Sequence, residues 1–453
     1  MRRSRGLGKV AFMLVLIVII TGIFFMSNSE EFEQNPPVID IDQSIQWNGK
    51  EPIVVSFSDD SGIKNYKISA LDGDKVLTTI NENLQNSTKS LSVDVDLRRW
   101  QNISNDLKLE ISVTDSSKGN MLSGNTQTQT VDVIIDRKKP ILSIIDRSYG
   151  ITKGGSAIII FKAQDDNLKD IKIEANGREF MPQKFLDDNH YISLVAWSIH
   201  DNGFKVTISA TDKAGNKAIT PVNFFLKDKQ YKTSNITIKE SFIEGKITTL
   251  LEETGGDTSL PLLQRFKLVN EEMRKQNYKT IEEVTSKIDQ NYVVKNFQFN
   301  PINPLKNGAA VSSFGTYRSY QYNGQKISDS YHMGLDLAST QNADLYSDNS
   351  SYVSFAGFNG IYGNTIILYH GLGLSTLYSH CSQMFVDQGE NIPKDTLIGK
   401  TGITGLALGD HLHFGVIVQG VEVRPEEWMD SKWLSDNIFS IIDSSKQIIS
   451  QGS

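Results

Sequence analysis

The pattern of apolar and polar positions divides the chain into stretches of different period. Residues 10–26 read VAFMLVLIVIITGIFFM, 17 positions without a charge, behind Arg2, Arg3, Arg5 and Lys9. A terminal apolar run with a one-sided basic flank predicts a membrane-spanning helix whose basic end stays cytoplasmic. The following FFMSNSEEFE offers no small-x-small cleavage site, which favours an uncleaved anchor over a removed signal peptide. The expected order is a basic segment at 1–9, an anchor at 10–27 and a polar linker at 28–36.

From 37 to 228 the period changes to short apolar runs between turn signals. One run, PIVVSF, precedes Asp59-Asp60-Ser61-Gly62, and others lie at 107–113, 157–161 and 205–210. Regularly spaced strands of this kind predict β-sandwiches. An internal repeat supports two of them. KLEISVTDSSKGN at 108–120 matches KVTISATDKAGN at 205–216, and Thr114 and Thr211 lie 97 positions apart. SDDSGIKNYKI at 58–68 likewise matches QDDNLKDIKI at 164–173. A period of that size suits a whole sandwich module, giving modules at 37–137 and 138–228. The TDKAGN ending resembles bacterial immunoglobulin-like modules. The pairs Asp59, Asp60 and Asp165, Asp166 read as turn residues capping local backbone in preference to calcium ligands.

At 229–297 helical spacing takes over. Ile243, Ile247, Leu250 and Leu251 share one face, as do Leu262, Phe266, Val269 and Met273, and Thr280 with Glu283 has the form of a capping box opening a third helix. Residues 298–430 return to short strands with many glycines and hold five of the seven histidines. A helical tail at 431–453 is expected to dock on that domain or on the connector. The fold expected is mainly β: two β-sandwich modules, a helical connector and a C-terminal antiparallel-β domain after one N-terminal transmembrane helix.

Net charge is −7, and no basic run follows residue nine. A nucleic-acid partner, which needs a basic footprint, is therefore not expected. The single cysteine, Cys381, rules out a disulfide within the chain. It does not exclude an extracytoplasmic setting, because domains of this size need no staples.

The C-terminal domain carries the candidate chemistry. It holds His332-Met333-Gly334-Leu335-Asp336, then Tyr378-Ser379-His380, then His411-Leu412-His413-Phe414. Strand residues two apart point to one face, so His411 and His413 aim into one site. Several imidazoles and a carboxylate suffice for a catalytic zinc, which takes three protein ligands and leaves one position open. Such an ion lowers the pKa of its bound water, and spare histidines can move protons or stabilise charge.

From Ser313-Phe314-Gly315 to Arg424-Pro425 the domain resembles the lysostaphin-type (LytM-like) zinc metallopeptidases that cut peptidoglycan cross-bridges. The match includes Arg318, His332, Asp336, Tyr362-Gly363-Asn364, His370-Gly371, Tyr378-Ser379-His380, Gly399, Gly402, Thr404-Gly405 and His411-Leu412-His413-Phe414. The resemblance implies one zinc ion on His332, Asp336 and His413, with His380 and His411 as the catalytic histidines. Tyr378, two residues before His380, is expected on the same face, and Tyr378 and Asn364 are expected to bind substrate. The chain departs from the family at Gly415, where Glu is frequent, and at Asp395, where Gly is frequent. The implied activity is zinc-dependent endopeptidase action on peptidoglycan in cell-wall remodelling. The implied setting is single-pass in the cell membrane, held in the inner membrane by the N-terminal helix, with the bulk of the chain periplasmic. The sandwich modules are spacers or take a protein partner, and the connector is a candidate restraint on the site. Two rivals stand beside this reading: a catalytically silent regulator of other wall hydrolases, and a cysteine hydrolase built on Cys381. His190, His200 and His370 read as structural.

Overall fold

The computed structural model describes residues 5–28, 32–100, 102–104, 106–288, 297 and 299–451. Arg5–Asn28 forms one helix, with Val10, Phe12 and Leu14 among its exposed apolar side chains. Among the described residues no helix is long and apolar enough to cross a membrane, so the span expected at 10–27 finds no support there. Part of the basic segment and of the linker, at 1–4 and 29–31, lies outside the described residues.

The chain divides into two compact units, one of residues 1–140 with 165–169 and 211–217, the other of 141–164, 170–210 and 218–453. In the first unit six strands hydrogen-bond into one continuous sheet. Its long Ile53–Asp72 strand is bulged between Ser58 and Asn65, where extra residues sharpen a strand's bend. Leu107–Asp115 alternates buried and outward positions, burying Leu107, Leu109, Ile111 and Val113 with Val55, Phe57 and Ile68.

The repeat is visible in the turns. Asp59 Oδ1 accepts from the Ser61 N–H at 2.9 Å, and Asp165 Oδ1 from the Asn167 N–H at 2.8 Å, as turn aspartates do. Buried Asp115 and Asp212 each accept from an asparagine amide, Asn125 at 2.8 Å and Asn216 at 2.9 Å. The partner of Asn216 is thus Asn125, not the Asn120 of the sequence alignment, because the first module carries extra residues in that turn.

Two four-stranded sheets make up the module before the connector. One runs Gln183–Phe185, Asp187–Ala196, Ser156–Gln164, Ile141–Arg147, and the other Arg178–Phe180, Leu168–Ala175, Val206–Asp212, Lys217–Val222. Thr233–Thr237 then pairs in parallel with Tyr317–Tyr322. Residues 240–254 and 262–285 are helical, each interrupted by a π turn, at Ile243–Ile247 and Leu268–Met273. No third helix starts at Thr280. Its hydroxyl bonds back to Gln276 O at 3.2 Å inside the Arg274–Thr285 helix instead of capping a new one. Ile243, Ile247, Leu250, Leu251, Phe266 and Val269 pack in one core with Tyr320, Ile361, Ile367, Leu377 and Ile417.

The C-terminal domain is an antiparallel eight-stranded sheet. Its order is Ala309–Ser312, Leu335–Ala338, Leu412–Val418, Leu374–Cys381, Asn364–Tyr369, Ser351–Phe358, Asn391–Ile392, with Val421–Val423 paired to Leu412–Val418. The tail helix docks on the module strands Ile141–Arg147 and Ser156–Gln164, while the start of the tail packs Trp433 against Trp428 of the C-terminal domain, ring centroids 5.5 Å apart. Ser148 Oγ donates to Asn437 O at 2.8 Å there, and Ser444 Oγ bonds Asp146.

Candidate active site

Strand register assembles the site. Asp336, on the Leu335–Ala338 strand, lies directly across from His413 on one side and Ser312 on the other, and His413 in turn pairs with Ser379. Cross-strand neighbours hold their Cβ atoms about 5 Å apart, so this row brings carboxylate and imidazole together. His332 enters from the turn just before the same strand. Asp336 Oδ1 is 2.9 Å from His332 Nε2 and 2.9 Å from His413 Nδ1, and the two ring nitrogens are 3.1 Å apart. All three residues are buried. Gly334 is needed between them, since a Cβ there would lie 2.5 Å from His413 Nε2.

The protonation pattern suits a cation. His332 Nδ1 donates to the Ser313 carbonyl at 3.0 Å, with Ser312 Oγ at 3.1 Å. A carbonyl can only accept, so the neutral ring carries its proton on Nδ1 and turns the Nε2 lone pair toward Asp336 and His413. Burial pushes the His332 pKa down to about 4, which keeps the ring neutral at pH 7. Burial would raise the Asp336 pKa, yet its contacts with His332 and His413 hold it far below the usual carboxylate range. A lone pair and a carboxylate facing each other at this range repel unless a cation joins them. Two imidazoles and one carboxylate are a fitting set for zinc with an open position. Arg318 Nη2 donates to Ser312 Oγ at 2.8 Å and lies 3.4 Å from Asp336 Oδ2, so it steadies the carboxylate from behind.

His380 and His411 face the same groove, their ring centroids 4.8 Å apart. His380 Nδ1 donates to Thr404 O at 2.9 Å and His411 Nδ1 to Gly409 O at 2.7 Å. Each ring therefore keeps Nε2 free to accept a proton. Burial, with His413 and His411 alongside, holds the His380 pKa well below its usual value. His411 Nε2 stands 3.8 Å from Asp336 Oδ1. The groove encloses about 940 Å³, and its other wall is connector: Phe242, Lys246, Phe266, Asn270, Arg274 and Tyr278 among others. The connector thus lines the site with an open cleft between. No motif in the sequence marked this wall, and only its helical spacing was visible.

Two expected site residues lie elsewhere. Tyr378 is buried against Phe414, ring centroids 5.3 Å apart, and does not line the groove. The alternation that put it beside His380 is broken. The Leu374–Cys381 strand shifts register against Asn364–Tyr369, and His380 itself has φ +63°. Asn364 also stays out of the groove. Its amide donates to Cys381 O at 3.0 Å and its N–H to Thr404 Oγ1 at 3.0 Å, which ties the His380 strand end to the Thr404 loop. Tyr362, by contrast, faces the site with its ring 5.3 Å from that of His413, though its motif gave it no role.

Cys381 is buried, and burial pushes its thiol pKa up to about 12. Without thiolate it is no nucleophile, which removes the cysteine-hydrolase reading. His370 is buried on Thr376 Oγ1 at 2.8 Å, with its pKa pushed by burial to about 3. His190 bonds Asp187 at 2.8 Å, and His200 stacks edge-on with Tyr331. None of the three reaches the site.

Residues 330–425 match the model of peptidase family M23. The C-terminal domain is an M23 peptidase domain. His332, Asp336, His380, His411 and His413 all fall inside the M23 match, whereas Arg318 and the connector wall lie outside it. Over 94 residues the chain is 35% identical to the DD-carboxypeptidase/endopeptidase Mpg of Neisseria meningitidis serogroup B, covering 21% of this chain and 22% of that protein. It is 32% identical over 93 residues to the peptidoglycan DD-endopeptidase ShyA of Vibrio cholerae, covering 20% and 22%. It is also 32% identical over 101 residues to stage II sporulation protein Q of Bacillus subtilis, covering 21% and 36%. The chain spans between 22% and 36% of the length of these relatives.

Proposed function

We propose that the protein is a zinc-dependent endopeptidase that hydrolyses peptide bonds of peptidoglycan and acts in cell-wall remodelling outside the cytoplasm. The observation that carries this reading is the convergence of His332, Asp336 and His413 beside two further histidines in one groove of the M23 domain. The name of one relative, the peptidoglycan DD-endopeptidase ShyA, supports the substrate class. His332, Asp336 and His413 would hold the zinc, which when bound supplies a Lewis acid and a water of lowered pKa. The chain's own residues do the rest. His380 or His411 accepts a proton at Nε2 and passes it to the leaving amine. A ring that holds a proton there donates to the developing oxyanion. Ser313 and Arg318 keep His332 and Asp336 oriented.

The test is digestion of purified peptidoglycan by the full chain, with mass spectrometry of the products and metal analysis of the protein. Wild type is expected to hold about one zinc per chain and release cross-bridge or stem fragments. His413→Ala is expected to lose the metal and the activity together. A protein that binds zinc but releases nothing would instead favour the silent-regulator reading, for which the sporulation name of one relative speaks.

A further inference from the structure

We propose that Arg274, on the connector wall, selects an acidic peptide: its guanidinium takes a free carboxylate of the substrate near the bond presented to His332, Asp336 and His413. This rests on the peptidase reading above.

Arg274 lines the groove from outside the M23 match. A short chain of rings links it to the metal-binding cluster. It sits one helical turn before Tyr278, whose ring is 6.2 Å from Tyr362, which in turn lies 5.3 Å from His413. An extended peptide advances about 3.3 Å per residue, so a carboxylate a few residues from the scissile bond reaches this wall.

The local backbone is shaped for it. Arg274 follows the π turn Leu268–Met273, and its N–H bonds Val269 O and Glu271 O. The Asn270 carbonyl instead accepts from Arg274 Nε at 3.1 Å, while Asn270 Oδ1 accepts from Nη2 at 2.9 Å. These bonds clamp one edge of the guanidinium. They use two of its five N–H groups. Single π turns of this sort recur at functional sites.

The charge itself lacks a partner. Among the described residues no carboxylate lies within 4.0 Å of the Arg274 guanidinium. Of the other cations on the walls, Arg318 is engaged with Asp336 at 3.4 Å, Lys246 Nζ donates to Ile403 O at 2.7 Å, and Lys239 is solvent-exposed, where its charge costs little. Glu422 is the acid nearest in effect. It accepts from Tyr362 Oη at 3.2 Å, and burial pushes its pKa up to about 8, so it carries little charge at neutral pH. A half-buried guanidinium without a carboxylate is a costly arrangement unless an incoming anion completes it.

The experiment compares a soluble cross-linked peptide from the wall in two forms, carboxylates free and carboxylates amidated. Affinity is read by calorimetry on the full-length, turnover-dead His413→Ala chain, and cleavage is read on wild type. The free acid is expected to bind about tenfold tighter than the amide. Adding Arg274→Gln is expected to bring that ratio near one while leaving the amide's affinity unchanged, which also reports an intact fold. Arg274→Lys, which keeps charge but loses the planar fork, should retain only part of the preference. Equal binding of the two forms to the parent chain overturns the proposal, as does an undiminished ratio in either variant. Cleavage without acid preference overturns the proposal alone. Acid preference without cleavage in wild type overturns the peptidase reading and leaves the carboxylate site standing.

Discussion

Asp336 has His332 and His413 on one oxygen and Arg318 near the other, so its position is set by four side chains counting Ser312. The proton acceptors are held less directly. His380 hangs on one carbonyl, Thr404 O, and the loop bearing it is tied down by Asn364 through Cys381 O and Thr404 Oγ1. Asn364→Ala is expected to leave zinc content at the wild-type level and lower kcat about 10- to 100-fold, since a misplacement of about 1 Å costs on that order. Metal analysis beside steady-state kinetics checks it, and loss of zinc in step with activity would move Asn364 into metal binding. Cys381 gives a second test at this scale. Buried, with its thiol pKa raised to about 12, it should resist iodoacetamide under native conditions, and treated protein should keep full activity. Labelling that tracks inactivation would revive the thiol.

At the scale of elements, the short helix Pro425–Met429 joins the peptidase sheet to the preceding module. Its Glu427 Oε2 accepts from the Ser156 N–H at 3.1 Å, and Trp428 Nε1 donates to Ser156 Oγ at 3.1 Å. Burial pushes the Glu427 pKa up to about 7, against the attraction of Arg424. The sign follows from linkage. The folded state holds this proton more tightly than the unfolded chain, so its contribution is fullest below the ordinary glutamate pKa and is lost as pH rises toward 7. Glu427→Gln should therefore flatten the fall in Tm between about pH 5 and pH 8, by an amount equivalent to at most roughly 3 kcal/mol. Parallel Tm–pH curves for wild type and variant would show that Glu427 does not carry it. Elements also show what was legible in the sequence. The His-x-His and His-x-x-x-Asp spacings pointed to residues that register then brings together, because Asp336 and His413 lie on paired strands and His332 and His411 lead into them. Tyr378 was misread because the alternation rule fails where a strand changes register and a residue takes positive φ, and neither is written in side-chain type. Thr280 had the letters of a cap but sits mid-helix, where its hydroxyl bonds back to the preceding turn. Arg274 carried no motif at all, since its setting comes from a π turn and from the lack of a carboxylate beside its guanidinium among the described residues.

Across the second unit, the boundary expected at 297/298 cuts through a core. Ile243, Ile247, Leu250, Leu251, Phe266, Val269 and Ile281 of the connector are buried against Tyr320, Ile361, Ile367, Leu377 and Ile417 of the peptidase. Each such side chain contributes about 1.5–3 kcal/mol by burial, so together they rival the whole net stability of a domain, about 5–15 kcal/mol. Thr233–Thr237 also covers the edge of Tyr317–Tyr322, which would otherwise stand open for pairing with other chains. The connector is thus a wall of the peptidase, and removing it removes half of the groove along with its core. A piece comprising residues 298–453 is expected to aggregate or melt well below the full chain and to bind little zinc. A piece of 141–453 keeps the connector, the Glu427–Ser156 link and the strands on which the tail docks. It should hold zinc and hydrolyse peptidoglycan at the rate of the full chain. Phe266→Ala within it should lower stability by about 3–5 kcal/mol, the range for emptying a buried aromatic site. Thermal melts, metal content and hydrolysis rates of the two pieces decide the matter. If 298–453 folded, kept its zinc and outpaced the full chain, the connector would be a restraint laid over the groove rather than one of its walls.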